Sequence, residues 1–179
     1  SKLASLSIPY IIMDEVDKYP RWAGREANPI KLARERSKNW PGMMKLVLIS
    51  TPTIKEGNIT KAYNEADVRY KYYVPCPHCG HMQPLTWDGV KFDSKEHATV
   101  VEYQTHYECC ECHGIIKDHH KPEMLRRGKW VAQNKCKGKP KRIAYSINSI
   151  YSPWITFGQV AAEFQRSKDD PADLMNLIN

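Results

Sequence analysis

No apolar run in the 179-residue sequence approaches the roughly 20 residues that a membrane-spanning helix needs, which excludes that class of protein. The first residues lack the apolar stretch of a secretory signal, because Ile8-Pro9-Tyr10-Ile11-Ile12-Met13 runs straight into Asp14-Glu15. A glycine-rich phosphate loop is also missing. Gly24, Gly42 and Gly57 are not followed by a Gly-Lys pair, and Gly128-Lys129 has neither the upstream glycine nor the following hydroxyl of Gly-x-x-x-x-Gly-Lys-Ser/Thr. Six cysteines are too few for a disulfide framework in a chain of this length. There is no internal repeat, no low-complexity stretch and no initiator methionine, and the expectation is a piece of something longer.

What is present favours a packed α/β protein. Hydrophobic residues make up 41% and charged residues 26%, which argues against wholesale disorder. Lysine and arginine number 27 against 20 acids, a net charge of +7. Residues 1–75 carry +5, residues 76–134 carry −1, and residues 135–179 carry +3. A basic excess on either side of a neutral middle suits a polyanionic partner, although many solvated surfaces share that balance.

Three segments follow from the pattern. Residues 1–75 read strand, loop, helix, strand, loop, helix, strand. Pro9 to Met13 and Lys45 to Ile49 are short apolar runs of the kind that buried parallel strands show. Asn28-Pro29 marks a helix start with proline in the first turn. Residues 76–134 predict short strands around Met82–Trp87 and Thr99–Tyr107, and little helix before a short one at Pro122–Arg127 that Gly128 stops. Residues 135–179 open with the basic turn Lys135-Cys136-Lys137-Gly138-Lys139-Pro140-Lys141-Arg142. Apolar residues at 157, 160, 161 and 164 then predict a helix, and Asp170-Pro171 starts another through Leu174 and Leu177.

Asp14 and Glu15 stand where a hydrophobic strand leaves its sheet. In phosphate-hydrolysing motors the first acid of such a pair helps to hold Mg²⁺ and the second orients or deprotonates the attacking water. The second strand ends in Ser50-Thr51-Pro52-Thr53, whose hydroxyls suit contact with a γ-phosphate or its water. Either feature is also an ordinary strand-ending turn; their order along the chain is that of ring and helicase-type ATPases.

Cys76-Pro77-His78-Cys79-Gly80 and Cys109-Cys110-Glu111-Cys112-His113-Gly114 form two Cys-x-x-Cys knuckles with 29 residues between Cys79 and Cys109. Cys76, Cys79, Cys109 and Cys112 can close a tetrahedral, structural Zn²⁺ site, which fits a reducing compartment. Cys110 and Cys136 stand outside that set, and His78, His81 and His113 are weaker ligand candidates than their neighbouring cysteines. His119-His120 predicts two solvated side chains pointing apart. Tyr70, Tyr72 and Tyr73 with Lys71 suit base stacking, but the alternation at 70 and 72 equally fits a half-buried strand.

Taken in order, Tyr10–Asp17 with Tyr19-Pro20, Asn28-Pro29-Ile30-x-Leu32-Ala33-x-x-Arg36, Ser50-Thr51-Pro52-Thr53 and Tyr73-Val74-Pro75-Cys76-Pro77-x-Cys79-Gly80 resemble the lambda-type family of tailed-bacteriophage terminase large subunits. Tyr107-x-Cys109-x-x-Cys112, Gly128-x-Trp130, Ile147 through Trp154, and Phe164 to Asn179 continue the likeness. The resemblance implies a portion of a P-loop-type parallel-sheet ATPase core (residues 1–75) with a small zinc-ribbon-like β insertion (76–134). Residues 135–179 would then return to the core and link toward a nuclease domain. It implies Asp14 as the Mg²⁺-side acid, Glu15 as the catalytic carboxylate, and Ser50 and Thr51 in a coupling motif near the nucleotide. Arg25, Arg34 and Arg36 are candidates for phosphate sensing. For the full-length protein it implies ATP and Mg²⁺ as cofactors, translocation of double-stranded DNA into a procapsid, and an endonuclease. It further implies a small terminase subunit and the portal as partners, a homo-oligomeric motor, and action in the host cell cytoplasm. Position 28 is Asn where the family often has an acid, a change that keeps the helix cap. The alternative is a non-enzymatic zinc module that binds DNA or a protein partner.

Overall fold

The computed structural model describes residues 7–20, 28–54 and 56–167. The helix expected from Asp170 onward lies outside them, as does Arg25. The chain divides into two compact units, 1–62 and 63–179. Among the described residues no helix is long and apolar enough to cross a membrane.

In the first unit, β1 (Tyr10–Met13) and α1 (Pro29–Ser37) precede β2 (Lys45–Leu48), and β1 pairs with β2 in parallel, Tyr10 opposite Lys45 and Met13 opposite Leu48. A parallel pair needs a crossover connection, which α1 supplies. Asn28 caps the helix, its side-chain oxygen accepting the Ile30 N–H at 2.8 Å. Because side chains alternate along a strand, Ile11, Met13, Leu46 and Leu48 turn to one face and pack with Val16, Ile30 and Ala33. Tyr10, Ile12, Val47 and Ile49 remain exposed, Ile12 at 72%. A short helix, α2 (Asn58–Asn64), follows.

The second unit is built around β3 (Val68–Pro75). Sequence groups this strand with residues 1–75, but all its strand partners come from later in the chain. It pairs antiparallel with β4 (Met82–Pro84), and a small separate sheet then begins at β5 (Val90–Lys91). Next come α3 (Ala98–Gln104), β6 (His106–Glu108), β7 (Ile115–Ile116) and α4 (Lys121–Arg126). β8 (Lys129–Ala132) and β9 (Ile143–Ser146) return to β3, antiparallel and parallel respectively, and α5 (Phe157–Ser167) follows. β5, β6 and β7 form an antiparallel three-stranded sheet of their own. Among the described residues, β9 and α5 belong to this second unit.

One secondary-structure expectation is overturned. Thr99–Gln104 is helix, not strand. His97 caps it by accepting the Thr99 N–H, and buried Ala98 and Val101 turn toward the interior. A β-carbon on Gly158 of α5 would lie 1.9 Å from the Glu102 carbonyl oxygen, so α3 and α5 meet backbone to backbone. That packing overrides the strand preference of the β-branched run Thr99-Val100-Val101. Gly128 ends α4 as expected, but for a different reason. Its φ is not positive; a side chain there would run into the Tyr72 ring at 2.4 Å.

The core of this unit gathers Val74, Leu85, Val90, Val101, Tyr107, Ile116, Phe157 and Val160 together with Cys76 and Cys109. Buried Lys121 is fully engaged, its ammonium donating to the carbonyls of Ser152 and Ile155 and pairing with Asp118 at 3.3 Å, while burial lowers its pKa.

Candidate functional site

The two knuckles form because each Cys-x-x-Cys is bent by a local turn. In the first, the Gly80 N–H donates to the Cys76 carbonyl, and Gly80 takes a left-handed φ of 75° that favours glycine. In the second, the His113 N–H donates to the Cys109 carbonyl and His113 itself is left-handed, at φ 56°. Gly114 leaves room for the fold-back, since a β-carbon there would meet the His78 ring at 2.7 Å and the Cys112 sulfur at 3.2 Å. Amide hydrogens then aim at sulfur, from His78 to Cys76 at 3.4 Å and from Glu111 to Cys109 at 3.5 Å.

The four expected sulfurs converge. All lie within 4.8 Å of one another, with Cys76 to Cys112 at 3.8 Å and Cys79 to Cys109 at 3.9 Å. These gaps are far too long for disulfides. They match the edge of about 3.8 Å that a tetrahedron with Zn–S bonds near 2.3 Å requires. A four-thiol donor set with matching edges fits a structural Zn²⁺. Cys76 and Cys109 are buried, while Cys79 and Cys112 are exposed. Burial pushes the Cys76 thiol up to about 12. Burial works against Cys109 too, but the Cys112 and Glu111 amides and the neighbouring thiols outweigh it and bring that thiol down to about 6.

The other cysteines and histidines stay outside the cluster. Cys110 is exposed and its N–H donates to the Gln83 side-chain oxygen at 2.9 Å. Cys136 is half-buried. His78 uses Nε2 on the Ile115 carbonyl at 2.7 Å, His113 pairs with Glu108 at 2.8 Å, and the His81 carbonyl accepts the Cys76 N–H. His119 and His120 do not point apart. Their ring centroids are 4.0 Å from each other, and half-buried His120 accepts the Lys117 N–H, so local turn geometry outcompetes solvation. Tyr70 stacks on Tyr145 at 5.2 Å and Tyr72 donates to the Leu125 carbonyl, which places both in the half-buried strand.

The acid pair stands at the carboxyl end of β1, where the crevice of an open α/β sheet lies. Asp14 and Glu15 are both exposed, and Asp14 accepts the Glu15 N–H at 2.9 Å. Glu15 has a left-handed φ of 52° and its carboxylate meets Lys18 at 3.0 Å. The neighbouring strand end is bonded to this turn, Val16 N–H to the Ile49 carbonyl and Asp17 N–H to the Ser50 hydroxyl, both at 3.2 Å. Thr51 is exposed beside them. Arg34 lies exposed on α1 and Arg36 half-buried, its carbonyl accepting the Ile8 N–H.

A family model described as "Phage terminase large subunit gpA, ATPase domain" matches residues 1–130, a span that takes in the acid pair and all four converging cysteines. The chain belongs to that family. A curated terminase large subunit from Enterobacteria phage P21 is 28% identical over 199 residues, covering 97% of this chain. The chain spans 29% of that relative's length. No solved structure matches.

Two residues of this terminase segment escaped sequence reasoning. Gln83, 1% exposed on β4, braces the second knuckle through Cys110. Asp17, half-buried after the acid pair, binds the Ser50–Thr53 segment and the start of α2. The run Asp14-Glu15-x-Asp17 was a faint signal for the second, and nothing local distinguished the first.

Proposed function

We propose that this chain is part of the large subunit of a viral DNA-packaging motor, supplying the late part of its ATPase core and a zinc-holding β module. The observation that carries the reading is the acid pair at the end of β1, hydrogen-bonded to the hydroxyl segment that leaves the parallel strand β2, in a chain of the terminase ATPase-domain family. Ligands of such sheets sit outside the carboxyl ends of the strands. Asp14 stands on the Mg²⁺ side, Glu15 orients or deprotonates the attacking water, and Ser50 and Thr51 face the nucleotide and relay its state. Bound ATP and Mg²⁺ supply the phosphoryl group and the neutralising charge. The uncovered face of Tyr10, Ile12, Val47 and Ile49 supports a larger sheet, because parallel sheets are normally covered on both faces. Residues 63–179 hold one structural Zn²⁺ on Cys76, Cys79, Cys109 and Cys112.

In the complete subunit the reading extends to translocation of double-stranded DNA into a procapsid, an endonuclease, and a homo-oligomeric motor. The small terminase subunit and the portal are its partners in the host cytoplasm. The 179-residue chain alone hydrolyses nothing under this reading, since it has no phosphate loop. The test is Glu15→Gln in the complete large subunit. The amide keeps the shape and cannot take a proton, so ATP turnover should fall by about 100-fold or more while nucleotide binding persists. Asp14→Ala should instead weaken Mg²⁺-dependent binding. Normal turnover in the Glu15→Gln protein would overturn the assignment.

A further inference from the structure

We propose that Asp17 is the positioning residue that locks the acid-pair turn to both the Ser50–Thr53 segment and the start of α2; the proposal rests on the reading of Glu15 given above. One carboxylate serves two distant stretches of chain. Its Oδ2 accepts the Thr53 N–H at 3.0 Å and the Thr53 hydroxyl at 3.2 Å, and its Oδ1 accepts the Ile59 N–H at 2.6 Å. The Asp17 N–H donates to the Ser50 hydroxyl. Both oxygens of the Asp17 side chain accept here, whereas the isosteric asparagine amide offers a single acceptor oxygen and cannot meet donors on both sides.

Gly57 is a second, independent sign. A β-carbon at that position would lie 2.3 Å from Asp17 Oδ2 and 2.8 Å from its Cγ. Its φ is not left-handed, so a β-carbon there is disfavoured by lack of space beside the carboxylate and would push Asp17 out of its bonded position. The turn that Asp17 anchors is also the strained one. Glu15 has a positive φ that a non-glycine residue keeps only when its surroundings hold it. The holding bonds are Val16 N–H to the Ile49 carbonyl, Asn58 side chain to the Val16 carbonyl at 2.8 Å, and the Asp17 set. A displacement of Ser50–Thr53 therefore reaches the first residues of α2 through the Asp17 carboxylate, and reaches the Glu15 turn through that residue's backbone and the Val16–Ile49 bond.

Two measurements test this. In the 179-residue chain, Asp17→Asn should speed hydrogen exchange of the Thr53 and Ile59 amides together by about ten-fold or more, leaving the core around Tyr107 unchanged. Unchanged exchange at both amides overturns the bridge. In the complete large subunit, Asp17→Asn should lower kcat about ten-fold with KM for MgATP within about three-fold, and Gly57→Ala should do the same without altering any charge. A merely structural role would not separate kcat from KM in this way. Normal kcat in both variants, alongside an inactive Glu15→Gln protein, overturns the role of Asp17 and leaves Glu15 standing; normal turnover in Glu15→Gln overturns the underlying reading. If Asp17→Asn fails to fold, Gly57→Ala decides, and normal kcat there overturns the proposal.

Discussion

Replacing Cys109 with serine should strip the metal and weaken the second unit more than the same change at an exposed ligand. Zinc bound to isolated finger peptides is worth about 10–16 kcal/mol at neutral pH, as large as the entire stability of an ordinary domain, about 5–15 kcal/mol. Here the site is fused to the core: Cys109 is 0% exposed and Cys76 3%, both packed among Val74, Leu85, Tyr107 and Ile116. A hydroxyl at 109 is a poor zinc ligand and also a buried polar group, which adds about 1–3 kcal/mol. Cys79→Ser and Cys112→Ser lose the metal without that second cost, because both residues are exposed to solvent. Metal binding needs four thiolates, and burial holds the Cys76 thiol at about 12. Zinc must therefore displace protons, so its affinity should rise with pH and fall as the solution is acidified. Elemental analysis of the purified chain should find about one zinc equivalent, the stoichiometry of a single Cys₄ site. Chelator competition at two pH values and thermal unfolding of the three serine variants complete the assay. One full equivalent retained by Cys109→Ser, or metal released only on replacing Cys110 or Cys136, would refute the ligand set.

Gly158→Ala should destabilise the second unit by about 2–3 kcal/mol, since its β-carbon would be driven into the Glu102 carbonyl between two packed helices; an unchanged denaturation midpoint would contradict the close approach of α3 and α5. The N–H groups of Arg142 and Lys141 hold the Asp67 carboxyl below its usual range. With its folded pKa depressed, the stabilising contribution of Asp67 is present above the unfolded pKa and is lost as pH falls through the lower folded value. Protection of the Lys141 and Arg142 amides, taken relative to their intrinsic exchange rates, should therefore fall only in acid, and Asp67→Asn should abolish that pH-dependent loss of protection. For the exposed Lys135, Lys137 and Lys139, binding to DNA phosphates predicts non-specific duplex affinity that weakens with salt. Their replacement by alanine should flatten the log–log salt slope by about 0.9 for each phosphate that is no longer neutralised; binding insensitive to salt would remove DNA from this turn.

The cysteine set and the acidic strand end were legible because their chemistry is local. A Cys-x-x-Cys turn forms within five residues, and a hydrophobic run ending in Asp14-Glu15 marks its own strand and the strand's end. Helix α5 was legible for the same reason, its apolar residues recurring every three or four positions. What the sequence could not determine depends on partners far along the chain. Thr99–Gln104 carries strand-forming residues, yet it is helical because α5, more than 50 positions later, offers Gly158 and lets the two backbones meet. β3 continues the first segment in sequence, but its hydrogen-bonding edges are taken by β4, β8 and β9, strands whose pairing no local pattern encodes. In sequence Asp17 is only the last residue of the Tyr10–Asp17 segment, with no role of its own. Only tertiary folding brought Thr53 and Ile59, 36 and 42 positions away, to its carboxylate and converted a solvated charge into a structural joint.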